Sequence, residues 1–132
     1  MTTSDLPAEG QSDVSADGAE APFDDVITLS TSTDEDGVVT VTVVGEVDTF
    51  TAPVLRSTLD SQLEQQPREL VIDLSGVQFL GSAGLAVLVE TQKSSRSREV
   101  GLRLIASTRA VTRPLEVTGL IDLFTIADSS AR

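Results

Sequence analysis

Between Leu70 and Lys93 the chain reads LVIDLSGVQFLGSAGLAVLVETQK, and this stretch limits the folds open to it more than any other. Leu70 to Leu74 is nearly all apolar, as expected of a strand with both sheet faces covered. A short Gly/Ser turn follows. Leu85, Val89 and Gln92 then fall on one helical line, with Ala86 and Leu88 widening its apolar stripe. A strand that runs into an apolar-faced helix belongs to an α/β protein whose sheet is at least partly covered by helices.

The flanking sequence extends this pattern. Val26, Ile27 and Leu29 begin a first strand that ends before Asp34-Glu35-Asp36-Gly37, a polar turn in which Gly37 is free to take positive φ. Val38 to Val44 is β-branched throughout and reads as a second strand, paired with the first in an antiparallel hairpin. Thr51 is placed to cap a helix beginning near Ala52 and Pro53, which carries Leu55, Leu59 and Leu63 on one face and stops at Gln65-Gln66-Pro67. Downstream, Leu102, Leu104 and Ile105 form a fourth strand. Ser107 or Thr108 caps a third helix, which Pro114 either kinks or pushes to start near Thr112, and which Gly119 closes. Leu123 to Ile126 is a last short strand. The order β-β-α-β-α-β-α-β predicts an α/β fold, a mixed sheet of about five strands partly covered by three to four helices.

Charge divides the chain in two. Of 132 residues with net charge −12, residues 1–25 hold seven acidic side chains and no Lys or Arg. Residues 1–24 lack the large apolar groups needed to offset ordering entropy and read as a disordered acidic extension, with the folded domain over 25–129. There is no basic stripe, so direct nucleic-acid binding is not expected. Cysteine and histidine are absent, which removes disulfides, thiolate chemistry and the commonest general base and metal ligand. No run is long enough to cross a bilayer and the N-terminus has no signal-peptide pattern, so a cytoplasmic protein without a membrane span is expected.

Ser82 is the residue of most chemical interest. It follows Gly81 where the second helix should begin, at the electropositive end of that helix. Small residues at Gly81, Ala83 and Gly84 allow another protein's backbone, or a nucleotide, to approach closely, and free N–H groups of a first turn stabilise a phosphoserine. Serine is equally a favoured N-cap residue, and one hydroxyl can serve both states in turn. Ser75 is the nearest rival, in a turn before Gly76, while Ser94, Ser95 and Ser97 read as solubilising residues at a helix end. Asp48 suits either a turn or an interface; Asp73 suits tying down the Ser75-Gly76 loop.

Taken in order, the segments GEVD (Gly45 to Asp48), VIDLSGVQF (Val71 to Phe79), GSAGL (Gly81 to Leu85) and VTRPLEVTGLIDLFTI (Val111 to Ile126) resemble a STAS domain of the anti-sigma factor antagonist family. The resemblance covers roughly residues 26 to 128. It implies a protein that carries no catalysis, has no cofactor or metal of its own, and acts by partner switching in transcription regulation, as in stress responses. Unphosphorylated members bind an anti-sigma factor with serine kinase activity and release its sigma factor. Phosphorylation of the turn serine, which matches Ser82, ends that association, and a serine phosphatase restores it. ATP and Mg²⁺ then belong to the partners. Partner-binding residues carried over are Asp48, Gly81, Ser82, Ala83 and Gly84. Many members have Asp before the phosphorylated serine; Gly81 stands there instead, removing a carboxylate from the local charge. The alternative implied is a STAS subunit of a signalling scaffold or a lipid-transport complex. An enzyme is not expected: Glu46 and Asp48 share a side of an extended segment, but no nucleophile–base pair or phosphate loop accompanies them.

Overall fold

The computed structural model describes residues 27–127. Residues 1–26 and 128–132 lie outside the described residues, and with them the expected acidic extension at 1–24 and the outer limits of the domain at 25 and 129. The elements are β1 (Ile27–Thr33), β2 (Val38–Val47), α1 (Ala52–Glu64), β3 (Glu69–Leu80), α2 (Ser82–Ser97), β4 (Gly101–Ile105), α3 (Arg109–Thr118), a 3₁₀ turn (Leu120–Leu123) and β5 (Thr125–Ala127). Their order is the expected one. They form a single five-stranded sheet in the order β1-β2-β3-β4-β5, antiparallel between β1 and β2 and parallel thereafter.

The hairpin closes as its residues require. Asp34 Oδ1 accepts the N–H groups of Asp36 and Val38 at 2.8 and 3.0 Å, and Gly37 takes φ of +84°. The core follows from strand alternation. Val39, Val41 and Val43 on β2, Leu70, Ile72 and Leu74 on β3 and Leu104 on β4 join Leu55, Leu59, Leu63, Leu88, Val111 and Leu115 from the three helices in one cluster. The opposite row, in which Thr40, Val71, Arg103 and Thr125 stand side by side, lies outside that cluster. Coverage of both faces was the expectation for β3. Val71 bears it out at 3% exposure, although it does not join the helical core, and a 3.5 Å Arg103–Glu69 ion pair lies near it.

β3 also runs on past Leu74, where a turn was expected. It has 12 residues against 10 on β2, and the ladder shifts register twice, opposite Thr42–Val44 and opposite Gly45–Glu46. At the first shift Ser75 N–H and Oγ–H both donate to Asp73 Oδ1, at 3.0 and 2.6 Å, so the side chain takes bonds that a regular ladder would take. Asp73 therefore ties down Ser75 as expected, but inside a bulged strand. Gly76 fits there because a Cβ would stand 2.9 Å from Val44 Cγ2.

Helix faces differ in detail from their periodicity. On α2 the buried residues are Gly84, Leu85, Val87, Leu88, Thr91 and Ser95, while Ala86 is exposed and Val89 and Gln92 are half-buried. Ser95 is thus a core residue, not a solubilising one. Thr91 and Ser95 are tolerated inside because their hydroxyls donate to Val87 and Gln92 carbonyls, both at 2.8 Å. α3 runs through Pro114 from Arg109, with Thr108 at its N-cap position and Gly119 at φ +78° ending it. Val117 is exposed, and Leu123 belongs to the 3₁₀ turn, so β5 starts only at Thr125.

Gly84 is closely seated: a Cβ there would lie 2.6 Å from Val47 Cγ1 and 2.7 Å from Leu80 Cδ1. Gly84→Val is expected to destabilise the domain by about 1–3 kcal/mol through overpacking, despite valine's better helix propensity. Urea denaturation of both chains, compared at equal m-value, measures this.

Candidate functional site

The site is built where two parallel strands end. β2 and β3 are neighbours pointing the same way, so the turns that leave them, at Asp48 and at Gly81, emerge side by side. Gly81 N–H donates to Val47 O at 2.9 Å and locks the two turns together.

The first turn is organised by Asp48. Its Oδ1 accepts the N–H of Phe50 at 2.9 Å, the N–H of Thr51 at 3.0 Å and the Thr51 hydroxyl at 3.2 Å. Its carbonyl accepts Ala52 N–H at 2.9 Å. Thr51 was expected to cap α1, but makes no side-chain cap bond. It is buried, accepts from Asp48 N–H at 2.9 Å and donates to Glu46 O at 2.8 Å, closing the turn from inside. The carboxylate three residues earlier does not cap the helix either; it folds the turn ahead of it, accepting the amides of Phe50 and Thr51, which precede the first helical residue.

The second turn sets Ser82. Gly81, in extended conformation (φ −92°, ψ −178°), is the N-cap of α2, and Leu85 N–H donates to its carbonyl at 3.0 Å. Ser82 is therefore the first helical residue and not the cap. It is exposed, and its hydroxyl makes no hydrogen bond with any of the described residues. The first-turn amides of α2 have no side-chain acceptor, since glycine supplies none. The rival, Ser75, is half-buried with its hydroxyl engaged by Asp73.

Of the sequence-predicted site residues, Asp48, Gly81, Ser82 and Ala83 come together at this end of the sheet. Gly84 is turned inward, buried against Val47 and Leu80. Its smallness serves helix-to-strand packing, one residue pair removed from the surface. Gly81 has a similar constraint, since a Cβ there would stand 3.1 Å from Phe79 Cε2.

Sequence reasoning missed the apolar surroundings. Phe50 is 78% exposed, with Val54 at 50% and Phe79 at 51%. Between the starts of α1 and α2 lies an open cavity of about 260 Å³ lined by Thr49, Ala52, Pro53, Arg56, Ala83, Ala86 and Val87. Arg56 on α1 forms an ion pair with Glu90 on α2 beside it. The signal for Phe50 was present as a lone aromatic within a polar turn; the groove had none, because it depends on the spacing of two helices. Among the described residues no group of three or more carboxylates is placed to hold a metal ion, and no helix is long and apolar enough to cross a membrane.

A match to the STAS domain family covers residues 30–132. The anti-sigma-F factor antagonist RsfB of Mycobacterium tuberculosis is 37% identical over 101 residues, 76% of this chain and 80% of that protein. The crystal structure of an anti-sigma factor antagonist from Mycobacterium paratuberculosis superposes with a TM-score of 0.74 at 40% identity, covering 83% of this chain and 91% of that one. The phosphorylated form of the Bacillus cell fate determinant SpoIIAA shares the fold, with a TM-score of 0.61 at 13% identity over 77% of this chain and 93% of its own. The Asp48 turn, the bulged β3 and the exposed serine opening α2 thus sit on a recognised framework, and the chain belongs to the STAS domain family of anti-sigma factor antagonists.

Proposed function

We propose that this chain binds an anti-sigma factor through the surface around Ser82, releasing the sigma factor that the partner holds, and that phosphorylation of Ser82 by the partner's serine kinase activity ends the association. A serine phosphatase returns the chain to its binding form. The observation that carries this reading is the state of the Ser82 hydroxyl: exposed, unbonded to the described residues, and relieved of capping by Gly81. An ordinary cap serine would be engaged with its own helix, whereas this one is presented outward.

The surroundings support a protein partner. Phe50, Val54 and Phe79 are large apolar groups left in solvent, and aromatic anchors of this kind supply much of the energy of protein interfaces. The groove beside Ala83 offers a concavity for a partner side chain. Gly81 and Ala83 keep the approach to Ser82 low. Asp48 contributes by holding the Phe50 turn in shape, with its backbone bonds spanning Phe50 and Thr51. The role is that of a binding module, with the nucleotide and metal chemistry residing in the kinase and the phosphatase.

Added charge at Ser82 works against such a surface by desolvation and bulk at the interface. Ser82→Asp is expected to weaken binding by about 30- to 1,000-fold, equivalent to about 2–4 kcal/mol, as measured by titration calorimetry with the cognate anti-sigma factor. Ser82→Ala should bind like wild type and resist modification by that partner and ATP, read by phosphosite mapping. Binding of Ser82→Asp at wild-type affinity, together with no modification of Ser82, overturns the proposal. Phe50→Ala is expected to cost at least about 1 kcal/mol of affinity with no loss of stability, since the ring is solvent-exposed. Asp48→Ala should instead lower stability by about 1–3 kcal/mol through loss of the carboxylate's bonds to the Phe50 and Thr51 amides, seen in thermal or urea unfolding.

A further inference from the structure

Arg56 and Glu90 form an ion pair across the α1–α2 groove, with side chains 46% and 51% exposed. On α2, Ser82, Ala86 and Glu90 follow one another at four-residue spacing, so they run along one side of the helix. Ser82 lies eight positions before Glu90, about 12 Å along the axis at the α-helical rise. Arg56 meets α2 within that interval: it lines the groove with Ala83, Ala86 and Val87 while its guanidinium holds Glu90. Among the groove-lining residues it is the one charged side chain.

We propose that Arg56 is the receptor for a phosphate on Ser82: when Ser82 is phosphorylated, the Arg56 guanidinium leaves Glu90, pairs with the phosphate and lies across the groove that is open in the unphosphorylated chain. This rests on Ser82 being the phosphoacceptor, and adds how the modification reaches the rest of the docking surface. The exchange follows from the relative strength of the two acceptors. A half-exposed carboxylate pair is weakly held. A phosphoserine brings a charge of about −1.5 to −2 and three acceptor oxygens, which the planar fork of an arginine engages in bidentate fashion. The partner is thereby excluded twice, by the charge at Ser82 and by an arginine side chain filling the concavity beside Ala83.

The test uses the full chain with phosphoserine installed at position 82 during translation, in the wild-type, Arg56→Ala and Lys93→Ala backgrounds, and follows the ³¹P resonance against pH. Pairing with a guanidinium favours the more highly charged phosphate, so the second ionisation of the wild-type phosphoserine is expected to lie about half a pH unit or more below that of Arg56→Ala. Lys93, further along α2 and remote from the groove lining, serves as the control for a diffuse field, and Lys93→Ala should titrate like wild type. A phosphoserine in Arg56→Ala that titrates as in wild type overturns the proposal, as does an equal shift in Lys93→Ala. Because the phosphate is installed without the kinase, the result is independent of whether the partner modifies Ser82. Failure of the kinase to act would defeat the proposed function and leave this measurement standing, whereas an unshifted titration would defeat only the role of Arg56.

Discussion

The hydrogen bond from Gly81 N–H to Val47 O, with Gly84 sunk between Val47 and Leu80, is the constraint on which the functional end of the molecule depends. Parallel neighbouring strands end on the same edge of a sheet, but nothing in that rule fixes how close their exits come. Here the backbone bond joins the two turns, and the missing side chain at Gly84 lets the first turn of α2 rest directly on the last residue of β2. The start of the helix is therefore seated against the sheet. Ser82 faces outward, and two residues later the backbone is in the core. Phe50, the groove and the Arg56–Glu90 pair all take their positions from this junction, because α1 leaves β2 as α2 leaves β3.

A second constraint lies in the strand that leads to the junction. The inward residues of β3 are Leu70, Ile72, Leu74, Val77 and Leu80, a spacing of two that becomes three. Each register shift adds one residue on β3 opposite β2, and the two shifts together return the inward face to the core at Leu80. A single shift would have left the end of the strand facing the wrong way. Asp73 and Ser75 hold the first bulge with their own side chains, which is why polar residues are found in a strand whose neighbours are so apolar. Gly76 completes it by allowing Val44 to approach.

The division of the polar residues into those engaged by the fold and the one left unengaged follows the same logic. Asp48, Thr51, Asp73 and Ser75 are engaged with nearby backbone or with each other, and Thr91 and Ser95 bond back to their own helix. Ser82 differs in having its capping position filled by Gly81. Gly81 at this position thus has a structural consequence: it caps through its carbonyl alone, in close contact with Phe79, and leaves the serine unengaged. A surface of this kind, apolar at Phe50 and Phe79 with an exposed, unengaged hydroxyl between turns, suits a close-fitting interface.

Much of the architecture was legible in the residues themselves. The β-branched run from Val38, the leucine spacing of α1, the Asp34–Gly37 turn and the Gly119 stop all express local preferences that the fold respects, so the order of elements followed from the chain. The sequence also singled out Ser82 and Asp48 by position and residue type. What it did not determine was everything that rests on two segments meeting. The continuation of β3 through Ser75 and Gly76, the burial of Ser95, the inward turn of Gly84, the engagement of Thr51 inside its turn instead of at the start of α1, and the N-cap position falling on Gly81 instead of Ser82 were decided by tertiary packing. Periodicity reports which side of an element is apolar, but not which neighbour arrives there or how near it comes. Those distances set whether a hydroxyl is consumed by the fold or left for a partner, and at Ser82 the close seating of Gly84 and the carbonyl cap of Gly81 left it outside.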